Sequence, residues 1–233
     1  MRDTRTGQHQ PRPLIDLSVS IVLPSLIMMK LSSDSYLGVE GALMLALSFP
    51  LGWGLFEGFY YRKFNWIAFL GLVSVVLTGG IGLLHLDSDW LAIKEAAIPG
   101  IIGMAILISA WTPYPLIHAL IYNPAILDIE KIRQHLEHNG HIQAFDLRLK
   151  KATYWLSGTF FFSSAMNYLL ARWLVHSPSG SEAFNQELGH MTLLSYPVIA
   201  IPSTLMMAGI LYYLWRTIHG FTGLALEDIL AKK

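Results

Sequence analysis

The sequence predicts an all-α, polytopic membrane protein with six transmembrane helices, several of them kinked at prolines. Of its 233 residues, 53% are hydrophobic and 14% are charged, whereas soluble domains carry roughly 25% charged residues. Two further observations favour this class: the chain contains six apolar stretches of membrane-spanning length, and its basic residues fall in alternate loops.

Each apolar stretch reaches the roughly 20 residues that an α-helix needs to cross about 30 Å of hydrocarbon. The stretches cover residues 13–31, 37–59, 65–85, 95–121, 153–175 and 193–217. Residues 1–12 form a basic tail, and the first span lacks a cleavage site of small residues, so it is predicted to be a retained anchor. Spans one, two, four and six contain prolines, which predicts kinked helices. The glycines of LTGGIG, residues 77–82, are expected to allow close helix packing.

The basic residues predict the orientation of the chain. Thirteen of the sixteen Lys and Arg residues lie in the N-terminal tail, in the loops after spans two and four, or at and beyond the end of span six. Only Lys30, Lys94 and Arg172 lie toward the opposite side. By the positive-inside rule, both termini are expected in the cytoplasm, and residues 219–233 form a cytoplasmic C-terminal tail.

The loop of residues 122–152 is predicted to contain an amphipathic cytoplasmic helix. Asn123 followed by Pro124 is typical of a helix start, and Asn139 followed by Gly140 is typical of a helix end. Between them, four apolar residues repeat at helical spacing: Ile126, Ile129, Ile132 and Leu136. Two interpretations stay open at this point. The helix lies on the inner membrane surface, or it packs against the ends of the other helices.

Two acidic residues, Asp16 and Glu57, lie near the cytoplasmic ends of spans one and two. Ionisable groups in membrane helices are candidates for function. A plain interpretation pairs each with nearby basic residues, Asp16 at a helix N-terminus and Glu57 beside Arg62 and Lys63. The alternative is that both acids face a polar cavity, where they transfer protons or bind a lipid headgroup.

The outer connection between spans three and four contains His85, Asp87, Asp89, Lys94 and Glu95. Its His-x-Asp-x-Asp pattern has the composition of a metal-ligand cluster, but the spacing matches no specific site. The same holds for three histidines of the cytoplasmic loop, His135, His138 and His141. The chain has no cysteine. We therefore predict no metal and no cofactor, and keep His85 and Lys94 as candidate polar residues.

Span five contains Asn167 and Arg172 within an apolar stretch. At 3.6 residues per turn, their side chains point roughly 140° apart, so they need separate explanations. Arg172 is expected to extend to the outer surface and to pair with an acid there. The acids considered are Glu40, Glu95 and Glu182. Asn167 shares a face with Ser163 and Ser164, which predicts hydrogen-bonded packing against another helix.

Several segments together resemble a known family. They are PLIDLSVSIVLP, RKFNWIAFLGLVSVVLTGGIGLLH, IKEAAIPGIIGMAILISAW, AMNYLLARW and FNQELG. The chain resembles the intracellular septation protein A family of bacterial inner-membrane proteins, and in particular its larger six-span relatives. The resemblance implies a multi-pass inner-membrane protein of cell-envelope maintenance or septation with no assigned reaction. It also draws attention to Asp16, His85, Lys94, Pro99 and Asn167.

Two functions follow as expectations. The first is a non-enzymatic protein that acts through membrane lipids and other inner-membrane proteins, with a homo-oligomer as an open alternative. The second is a small transporter or lipid-handling permease, in which Asp16, Glu57, Asn167 and Arg172 line a polar path. We expect no enzyme, because the sequence has no P-loop, GxSxG elbow, HExxH or strand-associated GxGxxG motif. The balanced net charge gives no reason to expect nucleic-acid binding.

Overall fold

The structure is a computed structural model that describes residues 21–61, 66–112, 115–120, 122 and 127–230. Within these residues every regular element is helical, apart from one isolated bridge between Leu127 and Leu230. The predicted all-α class is therefore confirmed for the described part of the chain. The helices are α1 Leu23–Leu31, α2 Gly38–Tyr61, α3 Trp66–Leu83, α4 Asp89–Ser109, α5 Ile117–Leu120, α6 Ile129–His138, α7 Ile142–Leu174, α8 Glu182–Ser195, α9 Ile201–Thr222 and α10 Leu226–Ile229, with a π-helical turn Tyr196–Ala200.

The helices form two compact units. Unit 1 takes in the described residues of Met1–Leu91 and Arg172–Leu194. Unit 2 takes in those of Ala92–Ala171 and Ser195–Lys233. Each unit has its own set of buried apolar side chains, and each is described by itself below.

Small residues determine how helices pack in unit 1. A Cβ atom at Gly79 would lie 2.8 Å from Leu47 Cδ1, and one at Gly82 would overlap the side chain of Leu43. Glycine at positions 79 and 82 therefore lets the leucine side chains of α2 pack directly on α3, as predicted for the LTGGIG glycines, whereas a Cβ atom at Gly80 would meet nothing within 4 Å.

The core of unit 2 joins the predicted cytoplasmic loop to the C-terminal helices. Among its members are residues from α4 to α7, α9 and α10: Ile106, Ile117, Ile132, Leu136, Phe145, Leu156, Leu214, Ile218 and Ile229. The predicted C-terminal tail thus contains structure, since α9 continues to Thr222 and Ile229 of α10 is 1% exposed. A bridge from Leu230 to Leu127 holds this end of the chain.

The amphipathic helix of the loop is α6, and it packs against protein. Its N-cap is Asp128, whose carboxylate accepts a hydrogen bond from Lys131 N, whereas Asn123 and Pro124 lie outside the described residues. Its predicted end is confirmed, with Asn139 as the C-cap and Gly140 at φ +69°. Ile132 and Leu136 are buried in the core of unit 2, so this helix packs against other helices. A position on the inner membrane surface stays a prediction.

Two of the described helices are long and apolar enough to cross a membrane. They are Asp89–Ser109 and the continuous helical stretch Glu182–Thr222. They overlap the predicted spans 95–121 and 193–217. Two apolar helical segments, Gly38–Gly52 and Val73–Leu83, are shorter. A membrane location rests on these two helices, and the count of six spans and the placement of the termini stay predictions.

The predicted limits of span four were wrong at both ends. The helix begins at Asp89 and stops at Ser109, where a turn follows. Ser109 Oγ donates to Ile106 O at 2.6 Å and accepts a hydrogen bond from Leu116 N at 2.9 Å. The sequence beyond contains Pro113 and Pro115, which cannot donate a backbone hydrogen bond. The sequence stays largely apolar as far as residue 121, but α4 itself ends at Ser109.

Prolines occupy three kinds of helical position. Pro50 and Pro99 lie inside α2 and α4, and Pro24 lies in the first turn of α1, where proline is favoured. Pro197 lies in the π-helical turn, whose end is marked by a hydrogen bond from Ile201 N to Tyr196 O. The wider turn accommodates the chain where proline interrupts regular bonding.

Candidate functional site

The first two candidate residues lie where the structure gives no side-chain geometry. Asp16 is outside the described residues. Glu57 lies in α2 near the end of that helix, but only its place in the helix is described. The hypothesis that these two acids converge in a polar cavity stays a prediction.

Arg172 forms an ion pair in unit 1 with Asp89, rather than with Glu40, Glu95 or Glu182 as expected. The expected partners were wrong because α4 begins at Asp89, which places that carboxylate on the first residue of a helix instead of in a loop. Both side chains are about half exposed. Exposed ion pairs of this kind contribute about 0–1 kcal/mol, so the pair is a surface feature.

His85 links the connection that follows α3 to the loop that precedes α8, both in unit 1. It follows α3 with φ +52°, and its Nδ1 lies 3.2 Å from Ser179 O. A side chain at Gly180, which itself has φ +82°, would overlap the imidazole ring. The ring therefore packs directly against Gly180 in the loop that precedes α8, while the residue as a whole stays exposed. Among the described residues, no three His, Cys, Asp or Glu side chains are grouped as metal ligands.

Lys94 lies in unit 2, on the second turn of α4. Its side chain is 8% exposed, and Nζ lies 2.6 Å from Glu95 Oε1. A buried ammonium group is unfavourable unless a carboxylate neutralises it, and the adjacent glutamate does so here. The candidate lysine is thus part of a neutral pair within the first turns of a predicted membrane helix.

The most extensive polar packing in the described part of unit 2 is a seam between α4 and α7. We call it the α4–α7 seam and define it by Ala96, Gly100, Gly103, Ser157 and Ser164. Ser164 Oγ donates to Ala96 O at 2.7 Å, and Ser157 Oγ donates to Gly103 O at 2.8 Å. The two serines and the two carbonyl residues are each seven positions apart, in opposite order, so the helices are antiparallel. Every second turn of α7 therefore contributes one interhelical hydrogen bond.

Glycine makes these hydrogen bonds short. A Cβ atom at Gly100 would lie 3.0 Å from Ser164 Oγ, and one at Gly103 would lie 3.1 Å from Phe160 Cβ. Larger residues would move α4 away from α7 and lengthen both bonds. Of the three polar residues of span five that were predicted to pack against a neighbouring helix, Ser164 forms an interhelical hydrogen bond, and Ser157, which had not been included, forms another.

Asn167 continues the face of Ser163 and Ser164 but bonds within its own helix. Its Nδ2 lies 2.8 Å from Ser163 O and 3.4 Å from Ser163 Oγ. The expected interhelical bond comes from Ser164 instead. An asparagine side chain is long enough to reach back to the carbonyl four residues earlier, and that local bond competes with a longer reach to another helix.

A second polar cluster, which the sequence reasoning did not identify, surrounds Asn185 of α8 in unit 1. Asn185 is fully buried, and its Nδ2 donates to Ser32 Oγ at 3.0 Å and to Val39 O at 2.8 Å. Ser32 Oγ in turn donates to Met28 O at 2.7 Å. Asn185 Oδ1 and the buried Ser25 Oγ have no hydrogen-bond partner in the described part of the chain. We call Asn185, Ser25, Ser32 and Val39 the Asn185 cluster.

Glu187, two residues further along α8, closes the loop before the helix. Its carboxylate accepts hydrogen bonds from His176 N, Ser177 N and Ser177 Oγ, at 2.8–2.9 Å. Asn185 and Glu187 both belong to the FNQELG segment that contributed to the family resemblance. The sequence did contain a signal for a buried polar residue at Asn185. It lies between Phe184 and Leu188, both of which are buried.

Four of the candidate residues have described side chains. Within unit 1, His85 and Arg172 have separate partners, and within unit 2, Lys94 and Asn167 have separate partners. No protein-family model, no curated protein and no solved structure matches the chain. The resemblance to the septation protein A family therefore stays a prediction.

Proposed function

We propose that the chain is a non-enzymatic, multi-pass protein of the bacterial inner membrane that acts in cell-envelope maintenance or septation through contacts with lipids and other membrane proteins. The observation that supports this function best is the α4–α7 seam. Its serine hydroxyls donate to backbone carbonyls across a glycine-lined contact. Polar side chains that stabilise helix packing need no substrate to explain them.

The other candidate residues support the same proposal. Arg172 pairs with Asp89 and Lys94 pairs with Glu95. Each charge is matched locally, whereas a permease needs polar groups that turn toward a shared path near the middle of the membrane.

The experiment that tests this proposal combines a deletion with seam variants. We expect deletion of the gene in its own bacterium to change cell length or envelope permeability. Replacing Gly103 with Leu should separate α4 from α7 and reproduce that phenotype, whereas Gly209 to Leu should not, because a Cβ atom at Gly209 meets nothing within 4 Å. A deletion strain with normal division and a normal permeability barrier would contradict the proposal.

One observation favours the permease as a second candidate. Asn185 Oδ1 and Ser25 Oγ are buried polar atoms without a partner in the described residues, and a transported solute with hydrogen-bonding groups would satisfy them. For this candidate, Asn185 to Leu should abolish solute flux in proteoliposomes while the protein stays folded. If the protein is a scaffold instead, Asn185 to Leu should change the abundance of the protein and leave solute flux unchanged.

A further inference from the structure

A groove in unit 2 has a composition that the helix-packing function does not explain. It has a volume of about 410 Å³ and is lined by Arg148 of α7 and by Tyr213, Arg216, Thr217, Gly220 and Phe221 of α9. Ligand pockets in proteins range over about 300–1,000 Å³, so its size fits a small headgroup. The groove therefore combines apolar and aromatic side chains with two guanidinium groups.

The two arginines are available for an anion. Both are exposed, and neither forms an ion pair within the described residues, where the four pairs involve Lys94, Lys131, Arg133 and Arg172. Guanidinium groups present a planar fork of donors that matches phosphate oxygens. Two such groups, one on α7 and one on α9, give the groove a positive charge. The groove also has space beside them.

The walls of the groove are held in place by neighbouring rings. Tyr213 packs on Trp155, with ring centroids 4.7 Å apart, and Lys151 Nζ lies 5.2 Å from the Trp155 ring. At the other end, the carbonyl of Phe221 accepts a hydrogen bond from Asn139 Nδ2 at 2.9 Å. The groove is therefore a formed feature that does not depend on a ligand for its shape.

The position of the groove along the chain indicates what fills it. Arg216 lies near the C-terminal end of Glu182–Thr222, one of the two helices long and apolar enough to cross a membrane. The positive-inside pattern predicts that this end faces the cytoplasm, where basic pockets at the ends of membrane helices bind anionic lipid headgroups. A lipid also supplies acyl chains for the apolar wall, which a free phosphate ion does not.

We propose that this groove binds an anionic phospholipid, with its phosphodiester between Arg148 and Arg216 and its glycerol beside Thr217 and Gly220. The inference rests on the proposed membrane location but is independent of any role in division. The two guanidinium groups repel the ammonium of a zwitterionic headgroup, so phosphatidylglycerol should bind more tightly than phosphatidylcholine.

Gly220 provides a steric test that leaves both charges in place. Gly220 lines the groove, and a Cβ atom there would meet nothing within 4 Å, so we expect leucine at this position to occupy part of the groove. Gly209, on the same helix, also has open space around it and is absent from the groove. Gly209 to Leu is therefore the matched control, and Arg133 to Gln is the control for a basic residue outside the groove.

The experiment measures phosphatidylglycerol and phosphatidylcholine binding to the full-length protein in detergent, by native mass spectrometry. We expect Arg148 to Gln and Arg216 to Gln each to weaken phosphatidylglycerol binding about tenfold, as removal of a charged hydrogen bond does. Gly220 to Leu should weaken it comparably, with unchanged helicity by circular dichroism. Arg133 to Gln and Gly209 to Leu should bind as the unchanged protein does.

Three results would overturn the proposal. These are unchanged phosphatidylglycerol binding by Gly220 to Leu, an equal loss with Arg133 to Gln, or displacement of the lipid by millimolar inorganic phosphate. If the arginine variants fail to fold, the Gly220 variant alone decides. Because lipid binding is measured on purified protein, its failure is distinct from a deletion strain without a phenotype, which bears on the proposed function instead.

Discussion

The two units satisfy buried polar side chains in different ways. In unit 2, Ser157 and Ser164 each donate to a carbonyl of α4 that also belongs to a helix. In unit 1, Asn185 donates twice, to Ser32 Oγ and Val39 O, while its Oδ1 has no partner within the described residues. In the α4–α7 seam, serine hydroxyl groups donate the hydrogen bonds between helices. In the Asn185 cluster, a side-chain amide donates them.

The difference follows from the donors and acceptors of packed helices. A helical carbonyl has a second lone pair and can accept an additional hydrogen bond, so a serine hydroxyl is satisfied at small cost. Helical N–H groups inside a helix are already used, so an amide oxygen between helices depends on a side-chain donor. An unsatisfied buried acceptor costs about 1–3 kcal/mol, which makes the Asn185 cluster the less stable polar contact.

The largest effect should come from Asn185 to Asp. The change removes both donors and sets a carboxylate against the carbonyl of Val39 and the hydroxyl of Ser32. An uncompensated buried charge costs about 3–5 kcal/mol. The free energy of unfolding, measured by denaturant titration in detergent, should fall by that amount.

Asn167 to Asp is the matched control in unit 2. It also removes a donor, but Asn167 is half-buried and bonds only within its own helix. We expect a loss well below that at Asn185. Equal losses at the two positions would show that full burial between helices does not make Asn185 more sensitive than Asn167.

The next effect concerns close approach in unit 1. A Cβ atom at Gly189 would lie 2.8 Å from the backbone oxygen of Ser25 and 2.7 Å from Met29 Cγ. Gly189 to Ala should therefore destabilise the protein by about 1–3 kcal/mol through overpacking. Gly209 to Ala, in open space on α9, should stabilise it by about 0.5–1 kcal/mol through helix propensity. Thermal unfolding of both variants checks the opposite signs, and a stabilising Gly189 variant would contradict the packing described for α8.

The contribution of the seam itself should be smaller. Ser164 to Ala removes one interhelical hydrogen bond and leaves a carbonyl that keeps its own helical bond. Interhelical bonds in membrane proteins are worth about 0.6 kcal/mol on average, so a loss of that size is expected. Ser163 to Ala is the control, because the Ser163 hydroxyl only takes part in a 3.4 Å contact with Asn167. A loss above that of Asn185 to Asp would reverse the comparison between the two units.

Sequence reasoning predicted the parts of this fold that depend on composition and local spacing. The all-helical class, the glycines of α3 and the end of α6 at Asn139 and Gly140 follow from such patterns. The limits of α4 did not, because they depend on which donors remain free near Ser109 rather than on how apolar the stretch is.

The candidate residues also divide into those that local spacing predicted and those that depend on distant parts of the chain. Ser164 was predicted to face another helix, and it does. Asn185 was missed because its surroundings come from Ser32 and Val39, more than 140 residues away in the chain. The partner of Arg172 was wrong for a related reason, since its partner, Asp89, is 83 residues away in the chain. Long-range partners are set by tertiary packing, which one sequence does not specify.

The smallest effect should come from Arg172 to Gln, which breaks the pair with Asp89 in unit 1. Both side chains are about half exposed, and water screens the pair, so we expect a loss below about 0.5 kcal/mol. The loss should shrink further as salt is raised from about 0.01 M to 1 M, because the Debye length falls from about 30 Å to 3 Å. Denaturant titrations of the unchanged protein, Arg172 to Gln, Asp89 to Asn and the double variant measure this coupling directly. A salt-independent coupling of several kcal/mol would place Arg172 among the buried polar groups, and it would make the Asn185 cluster one of two costly polar sites in unit 1.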